Sequence, residues 1–170
     1  MMKKIVVLLL VTIGLFNSCT VKLNGASIPA EMKTINIQFF ENNAPLVIPY
    51  LSQQFTEDLK TRIRNQSRLS LSQTDADAMM EGRITGYSIN PVSLADNRAQ
   101  VNTGASRVTI TVSVKYTNNI NAKQSFEESF SRFKDFTLNS GTLESQQAQL
   151  IRAINQQLTE DIFNRAFAQW

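Results

Sequence analysis

The chain has 170 residues, with 17 Lys and Arg against 14 Asp and Glu, one cysteine and no histidine. A single cysteine excludes an intramolecular disulfide, and the lack of histidine excludes His-based acid–base catalysis, Ser–His and Cys–His nucleophile pairs and the commonest zinc sites. The Lys and Arg are scattered, with no basic run and no aromatics set among them for stacking, which argues against a nucleic-acid partner.

The first predicted element is an export signal. Lys3 and Lys4 precede an apolar run from Ile5 to Phe16 in which only Thr12 and Gly14 are not strongly apolar. A helix of that length spans about 18 Å, short of the roughly 30 Å hydrocarbon core of a membrane. A basic head, a short apolar core and small or polar residues after it are the parts of a signal peptide. Without residues 1–18, which hold two lysines and no acid, the balance falls to 15 basic against 14 acidic residues. Cys19 follows the signal directly, with a small residue, Ser18, before it. The segment is similar to a lipobox, where cleavage before the cysteine is followed by diacylglycerol modification. The other reading is an ordinary signal with an incidental cysteine. More than one acyl chain is needed for stable anchoring.

The organisation predicted from this is a lipoprotein signal peptide at 1–18, a lipid-anchored tether at 19–31, and one domain at 32–170. In that domain KTINIQFF places Ile35, Ile37 and Phe39 on one side of a short strand. A loop with two asparagines and two prolines follows. Leu51, Phe55, Leu59 and Ile63 then recur every fourth residue, predicting a helix over 49–65 that begins at Pro49. LSLSQ at 69–73 reads as a strand, and so does MMEGRITGYSINPV, ending near Pro91. Gly82 and Gly86 fall on one face of that strand, which points to a close approach or a bulge. A polar loop leads to SRVTITVSVKY, where Val108, Ile110, Val112, Val114 and Tyr116 alternate with polar residues, a strand with one wet face. KQSFEESFSRFKDF is its hairpin partner. Phe126 and Phe130 share a face there and Phe133 falls on the other, which a bulge near Ser131 or an edge position would explain. The last helix runs from an N-cap at Thr142, with Glu144 in its first turn, through Leu150, Ile151, Ile154, Leu158, Ile162, Phe163 and Phe167 to Trp170. The order β-α-β-β-β-β-α predicts an α+β fold. It is a two-layer α/β sandwich with two helices packed on one face of a mixed four- to five-stranded sheet. Its first unit should be a parallel crossover and its later strands an antiparallel meander.

Candidate sites are few. Asp75 and Asp77 lie in a predicted turn, Glu127 and Glu128 point to opposite faces of a strand, and Glu160 and Asp161 are helix neighbours. None of these forms the facing pair that glycosidase-like chemistry needs, so solvated surface is the expectation, and no catalytic residue, metal or cofactor is expected. Lys60, Arg62, Arg64 and Arg68 form the densest basic patch. They either complement the C-terminal end of the first helix, with Asp58 paired to Arg62, or contact an anionic ligand such as a phosphorylated glycolipid.

Several stretches in this order, GASIPAEMKTINIQFFENNAPLV, LSQQFTEDLK, EGRITGYSINPV, RVTITVSVKYTN, FEESFSRFKDF and EDIFNRAFAQW, together with the lipobox-like end, resemble the lipopolysaccharide-assembly lipoprotein family, LptE. The resemblance spans residues 19–170. It implies a non-enzymatic protein of two helices on a mixed sheet, anchored through Cys19 in the inner leaflet of the outer membrane and facing the periplasm. It also implies a role as plug and partner of the large outer-membrane β-barrel LptD, with which it delivers lipopolysaccharide to the outer leaflet, and a possible direct contact with that glycolipid. Thr20 follows the cysteine where an aspartate would mark inner-membrane retention, which agrees with the outer-membrane placement. Loops 40–49 and 91–106 are the expected contacts with the barrel wall, and the surface of such a plug should be polar. The alternative is a free periplasm-facing lipoprotein that binds a small molecule or another envelope component.

Overall fold

The computed structural model describes residues 28–92, 105–137 and 142–168. The signal segment, Cys19, most of the tether, most of loop 91–106 and Trp170 lie outside the described residues. The elements are β1 (Thr34–Ile37), β2 (Glu41–Asn42), α1 (Leu51–Gln66), β3 (Ser70–Leu71), β4 (Ala78–Pro91), β5 (Ala105–Asn118), β6 (Phe126–Thr137) and α2 (Leu143–Phe167), with one 3-10 turn at Ala122–Gln124. The sheet runs β3-β1-β4-β5-β6, and β2 pairs with β4 beyond the end of β1. β1 is parallel to both β3 and β4, while β4, β5 and β6 form the antiparallel meander. Both helices cover one face. This is the predicted α+β sandwich, with six strands rather than four or five.

The extra strand comes from a break in the first one. Ile37 pairs with Met80 and Glu41 with Arg83, so three residues on one side (Gln38, Phe39, Phe40) face two on the other (Glu81, Gly82). One surplus residue reverses the alternation. Phe39, expected in the core, is 58% exposed, and Phe40 takes its place at 0%. Three contacts hold Phe40. Its ring meets Phe55 edge-on at 5.1 Å. Its N–H donates to Thr56 Oγ1 at 3.1 Å, so the break leaves no orphan donor there. It also sits over Gly82, where a Cβ would lie 2.5 Å from the Phe40 ring and against the Ser113 carbonyl.

A second irregularity lies in β4. Ile84 pairs with Val112 and Gly86 with Thr111, leaving Thr85 as a bulge. The phase reverses again, so Gly82 is on the helix-covered face and Gly86 on the open one, not on a single face as the uninterrupted alternation implies. The bulge lets Tyr87 enter the core at 3% exposure.

The unbroken patterns fold as read. Val108, Ile110, Val112, Val114 and Tyr116 of β5 are buried. Opposite them lie Leu51, Phe55, Leu59 and Ile63 of α1 and Ile151, Ile154, Leu158 and Ile162 of α2, in one core. Burial of each such side chain is worth about 1.5–3 kcal/mol. β6 is an edge strand whose register to β5 is continuous, so edge position and not a bulge accounts for its weak alternation. Two of its inward charges are paired with α2: Glu128 accepts from Arg165 Nε at 2.8 Å, and Arg132 Nη2 donates to Asp161 at 2.7 Å. Thr142 Oγ1 accepts from Ser145 N–H at 3.3 Å, as the expected N-cap of α2. α1 starts at Leu51, two residues after Pro49, because Ile48 C=O takes the Leu51 N–H in a turn at 3.1 Å.

Candidate interaction surface

The four candidate cations do different things. Arg62 is turned into the helix pair with its side chain only 15% exposed. Its Nε donates to Thr159 Oγ1 at 3.0 Å and its Nη2 to the Gln156 carbonyl at 2.9 Å, both on α2. Asp58, expected to pair with Arg62, instead accepts from Asn155 Nδ2 at 3.2 Å. Partial burial of Asp58 raises its pKa, opposed by the Asn155 hydrogen bond and by the Arg152 and Arg62 charges. Arg68 Nη2 donates to the Ile28 carbonyl at 2.7 Å, fastening the segment that leads into β1. Lys60 pairs with Glu57 at 3.0 Å, and Arg64 reaches only Thr61, at 3.2 Å. Lys60 and Arg64 are thus the members of the patch with partners only on their own helix.

The carboxylates are structural or solvated. Asp77 Oδ2 accepts from Lys33 N–H, Thr34 N–H and Thr34 Oγ1 at 2.8, 2.9 and 3.0 Å, clamping the turn before β4 to the start of β1. Those backbone hydrogen bonds hold its pKa below the usual aspartate value. Glu128 and Asp161 serve the β6–α2 ion pairs. Among the described residues no three histidine, cysteine or acidic side chains come together as a metal site. None of the described helices is long and apolar enough to cross a membrane.

Among the described residues the sheet face turned away from the helices is left uncovered. Register places its outward residues in five rows across β4, β5 and β6. The outer rows are Glu81, Lys115 and Glu127 at one end and Asn90, Arg107 and Asp135 at the other. Between them come Arg83, Ser113 and Ser129, then Gly86, Thr111 and Ser131, then Ser88, Thr109 and Phe133. Lys115 binds Glu81 at 2.8 Å. Arg107 binds Asp135 through two hydrogen bonds, 2.7 and 2.9 Å, and lies 3.7 Å over the Phe133 ring. The guanidinium beside it holds Asp135 below the ordinary carboxylate range, and Asp135 in turn raises Arg107. Thr111 and Ser131 hydroxyls meet at 3.0 Å. The result is a platform of small hydroxyl side chains with charged residues toward both ends, three bases against three acids over the five rows. The Thr and Ser alternation in β5 signalled a wet face. What it could not carry was the register that aligns those rows with Gly86, Ser129 and Ser131.

Two further features flank this face. Loop 43–50 carries exposed Leu46, Val47 and Tyr50. It is pinned by Asn42, whose Oδ1 accepts from Ala44 N–H at 3.1 Å while Nδ2 donates to the Ile48 carbonyl at 3.3 Å. A groove of about 400 Å³ opens between the end of β6 and the start of α2, with Phe136, Leu150 and Ala105 buried in it and Lys134 and Gln149 along it.

The LptE family, described as lipopolysaccharide-assembly, matches residues 32–166. Similar solved structures include the hypothetical protein CT253 from Chlamydia trachomatis, 9% identical over 81% of this chain and 99% of that one, with a TM-score of 0.57. A minor lipoprotein from Acinetobacter baumannii is 13% identical over 79% of this chain and 91% of that one, TM-score 0.50. The uncharacterized lipoprotein B from Nitrosomonas europaea is 14% identical over 78% of this chain and 80% of that one, TM-score 0.50. At such identities the likeness is one of fold. No curated protein matches this chain.

Proposed function

This chain belongs to the LptE family of lipopolysaccharide-assembly proteins, and we propose that it is a non-enzymatic outer-membrane lipoprotein acting as plug and partner of the β-barrel LptD in delivering lipopolysaccharide to the outer leaflet. The observation that carries this is the family match over 32–166, which takes in nearly all of the described domain. The position of Cys19 behind a short apolar run supports acylation there and a seat on the periplasmic face of the inner leaflet. The polar, charge-balanced open face of the sheet supports a partner with a wet interior, because the lumen of a β-barrel is polar. Loop 43–50, with its three exposed apolar side chains, is a second contact with the barrel wall. Lys60 and Arg64, free of partners on other elements, are the cations proposed to meet the phosphates of the glycolipid.

The test is recovery of the full-length protein from envelopes in mild detergent. A stoichiometric large β-barrel subunit should come with it. Recovery as a lone lipoprotein would overturn the proposal in favour of a free periplasm-facing binding protein.

A further inference from the structure

We propose that the open face of the sheet, centred on Thr111 and Ser131, is the surface that seats against the inner wall of the barrel; this rests on the plug reading above. Three properties select that occupant. First, the five rows hold three bases (Arg83, Arg107, Lys115) and three acids (Glu81, Glu127, Asp135), with Lys115 and Arg107 already ion-paired within the face. A face without net charge has no pull on an anionic membrane surface or a polyanion. Second, the large apolar side chains on this face are few and apart: Phe133, whose ring Arg107 covers, and Phe39, which stands beside Arg83 and Glu81 at the opposite end. Two separated rings do not make the contiguous apolar patch that a lipid surface or an apolar protein interface needs. Third, the three central rows are mostly Gly, Ser and Thr, which can donate or accept hydrogen bonds and lose little side-chain freedom when covered. The solvent side of α1 instead carries Glu57, Lys60 and Arg64, long side chains that lose much more.

Shape and size agree. Small side chains on a twisted sheet let a second sheet approach in the aligned packing of two β layers. The 14 residues of β5 extend about 46 Å and three strands are about 14 Å wide. That gives a face of roughly 650 Å², on the order of the 800 Å² per partner of a stable interface.

The experiment inserts bulk on one side at a time in the full-length protein and measures recovery of the barrel subunit from mild detergent. Thr111→Trp and Ser131→Trp crowd the open face, while Gln53→Trp and Gln156→Trp crowd exposed positions on α1 and α2. The expected result is a tenfold or greater loss of barrel recovery for the first pair and less than a twofold change for the second, with melting temperatures within a few degrees of the parent. Equal loss from both pairs, or loss confined to the helix pair, overturns the seating of this face and leaves the plug reading intact. Failure of the parent protein to recover any barrel overturns the plug reading itself.

Discussion

The Phe40 ring fills the space over Gly82 and meets Phe55, while its neighbour Phe39 projects from the opposite face. Phe40→Ala should therefore cost about 3–5 kcal/mol, whereas Phe39→Ala should stay within about 0.5 kcal/mol. Urea denaturation of the two variants measures this, and equal costs would mean that the strand break is misplaced. Asp77 gives a pH signature at the same scale. Its carboxylate is favoured in the folded state by backbone N–H donors, so its folded pKa lies below the unfolded value. The stabilisation it supplies is fully present above the unfolded pKa near 3.8 and is lost as pH falls through the lower folded value. Melting curves from pH 6 down to pH 2 should fall less steeply for Asp77→Asn than for the parent. An unchanged acid slope would rule this role out.

At the scale of elements, the helix pair is held by apolar packing and by the Arg62 bridge from α1 to α2. Arg62→Ala leaves Thr159 Oγ1 and the Gln156 carbonyl without this donor, and should cost about 1.5–3 kcal/mol, the range for hydrogen bonds to a charged group. Charge reversal at Lys60 and Arg64 should leave the melting temperature nearly unchanged and weaken lipopolysaccharide binding in a vesicle-capture assay. Unchanged capture would return both residues to ordinary surface. These contrasts also explain which parts of the fold were legible. β5 and α2 keep one period from end to end, so their buried faces and the Thr142 cap could be read directly from residue spacing. The link from β1 to β2 and strand β4 each contain one surplus residue, and a single residue reverses every side chain beyond it. No local pattern marks where that residue sits, because Phe39 and Phe40 suit the core equally. Arg62 looked like part of a solvent-facing basic patch because its partners lie more than 90 residues away. The small-residue face was half visible: the β5 alternation foretold it, but the pairing register that builds its rows is a tertiary property.

For the whole molecule, the ends of the sandwich differ. Arg68 holds Ile28 beside the C-terminal end of α1, while loop 43–50 lies at the start of that helix. A 16-residue helix separates them by about 24 Å. Cys19→Ala should shift the protein from the detergent-extracted membrane fraction to the soluble envelope fraction, because the acyl chains proposed to anchor it would be lost. Cell fractionation with immunoblotting checks this, and full retention in the membrane would mean that another feature anchors the chain.

The same arrangement decides how the domain bears mechanical load. β1 lies between β3 and β4 and runs parallel to both. A pull through residue 28 along the strands acts on β1 in shear, so its ladder bonds on both sides share the force instead of opening one after another. Arg68 and Asp77 stand where the chain enters, gripping Ile28, Lys33 and Thr34. They take the strain first. Were the chain anchored through Cys19 as proposed, a pull transmitted along the strands through residue 28 would meet the sheet in shear, the direction in which it is hardest to unzip.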